Sequence, residues 1–146
     1  MESSMNAILR KRLRDRRIAE CRAELEMCPY HLLDIYGKIG RLEACPTFRI
    51  NQEPPDEYRT LFRQCAELAS KADDLRDEIE ILSMDEKSLG TARQKAVGQL
   101  DTAAAGLESL KARSTWSALE EVEFLSDIRR ANNKVKIVDA VLASIK

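Results

Sequence analysis

Four cysteines and a single histidine are the side chains of this sequence best suited to hold a metal, and Cys28 and His31 share the tetrapeptide "CPYH". A Cys-x-x-His pair is half of a zinc site. A structural zinc takes four ligands, usually from two such pairs. With no second histidine, the remaining ligands would be Cys21, Cys45 or Cys65. Cys21 and Cys28 stand seven residues apart, which on a helix is two turns, too far to share one ion easily. Zinc chemistry therefore lacks ligands, and no metal is expected.

Two cysteines are followed by proline, at Cys28-Pro29 and Cys45-Pro46. Such pairs resemble the short motif of haem-responsive proteins, and that resemblance would imply a thiolate ligand to iron. A haem-responsive or metal-responsive helical protein is thus one alternative reading. The plainer account is that Pro29 sits where a helix kinks or restarts and Pro46 where it stops. Catalytic motifs are missing: there is no G-x-S-x-G, no P-loop and no paired-glycine fingerprint. The carboxylates of "DDLRDEIEILSMDE" read as the solvated flank of a helix. The expectation is a protein that is not an enzyme and carries no cofactor.

The elements that would position these residues are helices. Charged residues make up 34% of the chain and aromatics 5%, and all four prolines fall between residues 29 and 55. The next 91 residues contain no proline. That distribution predicts an all-α, elongated protein. From Leu61, steps of four and three residues land on Leu61, Cys65, Leu68, Ala72, Leu75, Ile79, Leu82, Glu86, Leu89, Arg93, Ala96, Leu100, Ala103, Leu107 and Leu110. The register passes through Ser114, Ser117 and Glu121 and recovers at Phe124, Ile128, Ala131, Val135, Val138, Leu142 and Ile145. A 3.5-residue repeat of this length keeps one stripe facing a partner helix and predicts a coiled coil.

The N-terminal part has its own stripe: Ile18, Cys21, Leu25, Cys28, Leu32, Ile35, Ile39 and Leu42. Cys21, Cys28 and Cys65 lie on these stripes, where a free cysteine behaves as a small hydrophobe. The expected architecture is one domain over residues 1–146: a helix over 3–44 kinked at 28–29, a loop over 45–55, and a long helix over 56–146. The first helix would fold back antiparallel on the long one. Ser117 and Glu120 have capping-box spacing, as do Ser83 and Glu86. A turn near 113–118, giving a third helix, is the competing reading to one continuous helix.

Charge is segregated along the chain. Residues 10–22 hold seven bases against two acids, residues 53–86 eleven acids against four bases, and residues 129–146 five bases against one acid. Basic and acidic flanks of this kind choose partner and orientation in coiled coils. The Arg cluster could instead bind nucleic acid, but a net charge of −1 and the acids within it argue against that. The leucine repeat does not make a bZIP protein, because "INQEPPDEYRTLFRQ" before it holds two prolines and three acids. Glu86 and Arg93 are charged residues at stripe positions and are candidates for setting partner and register. Gly90, Gly98 and Gly106 recur every eight residues and would thin the rod for close approach of another helix. Phe48 and Ile50 in the loop are candidate contacts.

No apolar run is long enough to span a bilayer, and the N-terminus has no apolar region of the signal-peptide kind. The cysteine spacings fit no disulfide framework. A cytoplasmic location, or a nuclear one in a eukaryote, is expected. The functional expectation is a non-enzymatic coiled-coil scaffold, a subunit of a larger assembly that pairs with a second copy or with heteromeric coiled-coil subunits. The size, hairpin layout and Arg-rich first helix are also similar to the stalk proteins of flagellar and type III secretion export ATPases. That likeness of layout implies an alternative role as a stalk-like component.

Overall fold

Where the chain keeps a three-four apolar stripe free of turn residues, it is helical. The structure, a computed structural model, describes residues 4–45, 55–113 and 118–145. Four α-helices hold these residues, with no strand among them: α1 (Ser4–Glu43), α2 (Asp56–Leu82), α3 (Glu86–Lys111) and α4 (Ala118–Ile145). No helix among the described residues is long and apolar enough to cross a membrane.

Helix α1 runs through Pro29 without interruption. Proline has no N–H, so the Leu25 carbonyl loses its intrahelical donor. One residue earlier the Cys28 thiol donates to the Glu24 carbonyl at 3.4 Å. The proline ring itself is exposed and displaces no packed side chain.

The long helix expected over 56–146 is three helices. The first interruption, at Ser83–Asp85, replaces the continuity that the unbroken heptad phase favoured. Its chemistry is local. The Ser83 hydroxyl donates back to the Ile79 carbonyl at 2.7 Å, and Met84 N–H turns to the Ile81 carbonyl at 3.1 Å, which tightens and ends α2. Asp85 is extended, with φ −77° and ψ 169°, and its carboxylate accepts the Ser88 N–H at 2.8 Å. It is the N-cap of α3, two residues beyond the Ser83 that the capping-box spacing suggests. The second interruption follows Lys111, where Ala112 N–H donates to the Glu108 carbonyl and Arg113 N–H to the Leu110 carbonyl, both at 3.1 Å. Ser114 and Ser117 lie outside the described residues.

The chain forms two units: Met1–Ile18 with Asp77–Lys146, and Ala19–Arg76. In the first, α3 and α4 lie side by side in opposite directions, with Gly106 against Phe124 at one end and Arg93 on Asp139 further along. Their Cα atoms come within 8 Å of one another. The buried side of α3 is Leu89, Ala96, Ala103 and Leu110, each seven apart, and the two small residues at its middle, Ala96 and Ala103, permit that approach. The apolar centre joins Ile81, Leu89, Val138 and Val141. In the second unit Ile35 and Ile39 of α1 pack with Leu61 of α2, flanked by Leu42, Tyr58, Cys65 and Leu68. Tyr58 O–H donates to Glu43 at 2.8 Å at one end of this pair, and Lys71 meets Glu24 at 3.6 Å further along.

Candidate interaction surfaces

The stripe residues divide by burial. Ile35, Ile39, Leu61, Leu75, Leu89, Leu110 and Val138 are buried. Ile18, Leu25, Leu32, Leu42, Leu68, Ile79, Leu82, Leu100, Leu107, Phe124, Ile128, Val135, Leu142 and Ile145 are half-buried. Glu86 and Arg93 are the exceptions, because both are exposed. Glu86 sits in the first turn of α3, where a carboxylate favours the helix N-terminus. Arg93 donates Nε–H to Asp139 at 2.7 Å, and that carboxylate holds its guanidinium more firmly protonated than usual. Phe48 and Ile50 lie outside the described residues.

The cysteines do not gather. Cys21 and Cys28 are buried, Cys65 is half-buried, Cys45 is exposed, and none of the four is joined in a disulfide. His31 is exposed. Among the described residues no three Cys, His, Asp or Glu side chains converge as a metal site would require.

Two ion pairs that sequence reading missed organise the first unit. Asp77, taken above for part of a solvated flank, is 3% exposed. It accepts both Nε–H and Nη2–H of Arg130 from α4, at 2.8 and 2.9 Å. Its neighbour Glu78 accepts both arms of Arg17 from α1, at 2.6 and 3.0 Å. Consecutive carboxylates on the last turns of α2 thus hold two different helices by forked contacts. Arg10 donates to the Ile145 carbonyl at 2.9 Å, supplying a donor to a C-terminal carbonyl of α4 that has no helical partner. The one signal in the sequence is the basic-against-acidic segregation, which gives the sign of the pairing and not the partners.

These contacts turn the start of α1 inside out. At 3.6 residues per turn, the side of α1 that carries Arg10, Arg14, Arg17 and Ile18 is half-buried, and Cys21 is buried. The opposite side carries Met5, Ile8, Leu9 and Leu13, which are 77%, 55%, 55% and 57% exposed. Three arginines thus lie on the inward side with Ile18 and Cys21, while four apolar side chains stand in solvent beside the exposed Lys11, Arg12 and Arg16. A second outward apolar set, Leu119, Val122 and Leu125, lies at the start of α4.

A trough runs along α3 beside α4. Its upper part has a volume of about 390 Å³, with Ile81, Ala92, Ala96 and Val138 among its walls and Lys87, Lys95 and Lys134 at its rim. Its lower part, about 610 Å³, is bounded by Gly98, Thr102, Ala103, Phe124 and Ala131. The two parts share Lys95, Gln99 and Lys134. No family model, curated protein or solved structure matches this chain.

Proposed function

We propose that this protein is a non-enzymatic coiled-coil subunit that holds or recruits other proteins within a larger assembly. The observation that carries the reading is the inverted start of α1. Its arginine side is committed inward, through Arg10 to Ile145 and Arg17 to Glu78, while Met5, Ile8, Leu9 and Leu13 stand in solvent. Contiguous apolar surface of this kind marks an interaction site, and its exposure is unfavourable by about 25 cal/mol per Å². The same contacts weaken a nucleic-acid reading, because Arg10 and Arg17 are already engaged. Coiled-coil pairing that covers this exposed apolar side of α1, with a second copy or a heteromeric subunit, is the mode proposed.

Sedimentation equilibrium tests the reading. Wild type should exceed the monomer mass of 16.6 kDa, and Leu9→Glu/Leu13→Glu, at two exposed positions, should return to that mass without loss of helix content. A wild type that stays monomeric and freely soluble at high concentration would remove the observation on which the reading stands.

A further inference from the structure

We propose that the trough along α3 and α4 is a docking groove for an acidic amphipathic helix of a partner protein. This deepens the reading above, since it assumes that the protein works by binding other proteins. Three observations carry it. The first is length. Its lining runs along α3 from Lys87 to Ala103, about 24 Å at 1.5 Å per residue. A compact ligand does not need that length, whereas a helix of about four turns fills it.

The second observation is the floor. Along α3 the trough is lined by Ala92, Ala96 and Gly98, and Gly98 has nothing within 4 Å of where a Cβ would stand. Small side chains let a second helix come close, and Ile81 and Val138 give it apolar surface to cover. The groove therefore suits apolar residues at the i, i+3/i+4, i+7 spacing of a helix face.

The third is charge. Lys87 and Lys95 stand on α3, and Lys134 faces them from α4. None of the three has an ion-pair partner among the described residues. Of the carboxylates on the lining, Asp77 is taken by Arg130, which leaves Glu80 in the upper part and Asp127 in the lower part against the three lysines. A cationic rim over an apolar floor selects a helix with apolar residues on one face and carboxylates flanking it.

Fluorescence anisotropy with the full chain tests the groove. The probe is a labelled three-heptad peptide with leucine and alanine on one face and glutamate on both flanks. A control peptide carries lysine in place of each glutamate. The acidic peptide should bind and the basic one should not, and rising salt should weaken the complex. Lys87→Glu/Lys95→Glu/Lys134→Glu should weaken acidic-peptide binding by about tenfold or more, as expected for three exposed charge pairs. Gly98→Leu separates groove from fold. It should raise the melting temperature, because leucine is the better helix former, and yet abolish peptide binding by filling the floor.

Equal binding by wild type and either variant overturns the proposal, as does no binding of the acidic peptide below about 100 µM. Displacement of the peptide by inorganic pyrophosphate would reassign the trough to a small anion. A dimer that the triple lysine variant dissociates would reassign it to a second copy. Failure here leaves the sedimentation result untouched: an assembly that depends on Leu9 and Leu13 would uphold the general reading while this groove is discarded.

Discussion

Residue by residue, the glycines separate what a sequence can and cannot say. Gly90, Gly98 and Gly106 read as one repeating feature. An eight-residue step advances about 80° around a helix of 3.6 residues per turn, so the three cannot share a face. Only Gly106 is packed: a Cβ there would run into the Phe124 ring, 2.9 Å from Cζ and closer still to Cε1. Gly90 and Gly98 have open space. Gly90→Ala and Gly98→Ala should each stabilise the fold by about 0.5–1 kcal/mol in urea unfolding. Gly106→Ala should destabilise it by about 1–3 kcal/mol, the range for overpacking, and a neutral result would show that the Phe124 ring has somewhere else to go. The cysteines make a parallel case. Their stripe positions announced burial for Cys21 and Cys28, and both are buried, while Cys45 off the stripe is exposed. In native protein Ellman's reagent should modify Cys45 fastest and Cys65 more slowly, with Cys21 and Cys28 reacting only on unfolding. Rapid reaction of all four thiols would contradict the packing of α1.

At the level of the element, apolar periodicity reports angle and not continuity. Leu82 and Leu89 keep their seven-residue spacing across the interruption at Ser83–Asp85, so the heptad passes the break without a slip. What marks the break is capping chemistry, and there Ser83 and Asp85 compete. The carboxylate wins because, as an ionised acceptor at a helix N-terminus, it gains from both the Ser88 N–H and the helix dipole. The Ser88 backbone N–H, helped by the Ser88 hydroxyl, holds the Asp85 carboxyl below its ordinary value. A depressed folded-state value means that the cap stabilises the protein above the unfolded aspartate value, about 3.9. That contribution disappears as pH falls through the lower folded value. Wild type should thus be more stable than Asp85→Ala at neutral pH, and the gap in urea midpoint should close below about pH 4. A gap that persists unchanged at pH 2 would mean that Asp85 acts through something other than its charge.

At the scale of the whole molecule, the helices were legible from apolar residues at helical spacing, but the stripe only partly marks what is buried: Leu89 and Val138 on it are buried, and so are Ile81 and Val141 beside it. Which helix neighbours which was not legible, because ion pairs such as Arg130–Asp77 and Arg17–Glu78 span 53 and 61 residues of chain. Nothing local distinguishes Asp77 from the other carboxylates around it. Its position on α2 sets it apart: at Asp77 the helix passes from the second unit into the first, and from there Asp77 and Glu78 each take a different arginine. The Asp77 side chain is almost fully buried, while that of Arg130 is 42% exposed. The guanidinium can recover water if the pair is broken, but the carboxylate cannot, so the two single substitutions should be unequal. Arg130→Gln strands a buried anion and should cost more than Asp77→Asn, which keeps the shape and leaves a guanidinium that solvent already reaches. In a double-mutant cycle the pair should show a coupling of about 1–2 kcal/mol, within the range for residues in direct hydrogen-bonded contact. The Arg93–Asp139 pair has a comparable distance but is exposed on both sides, and its coupling should be clearly smaller. If the two cycles gave equal couplings, burial of Asp77 would contribute nothing to the contact, and the joining of α2 to α4 would rest on the apolar centre at Ile81 and Val138 alone.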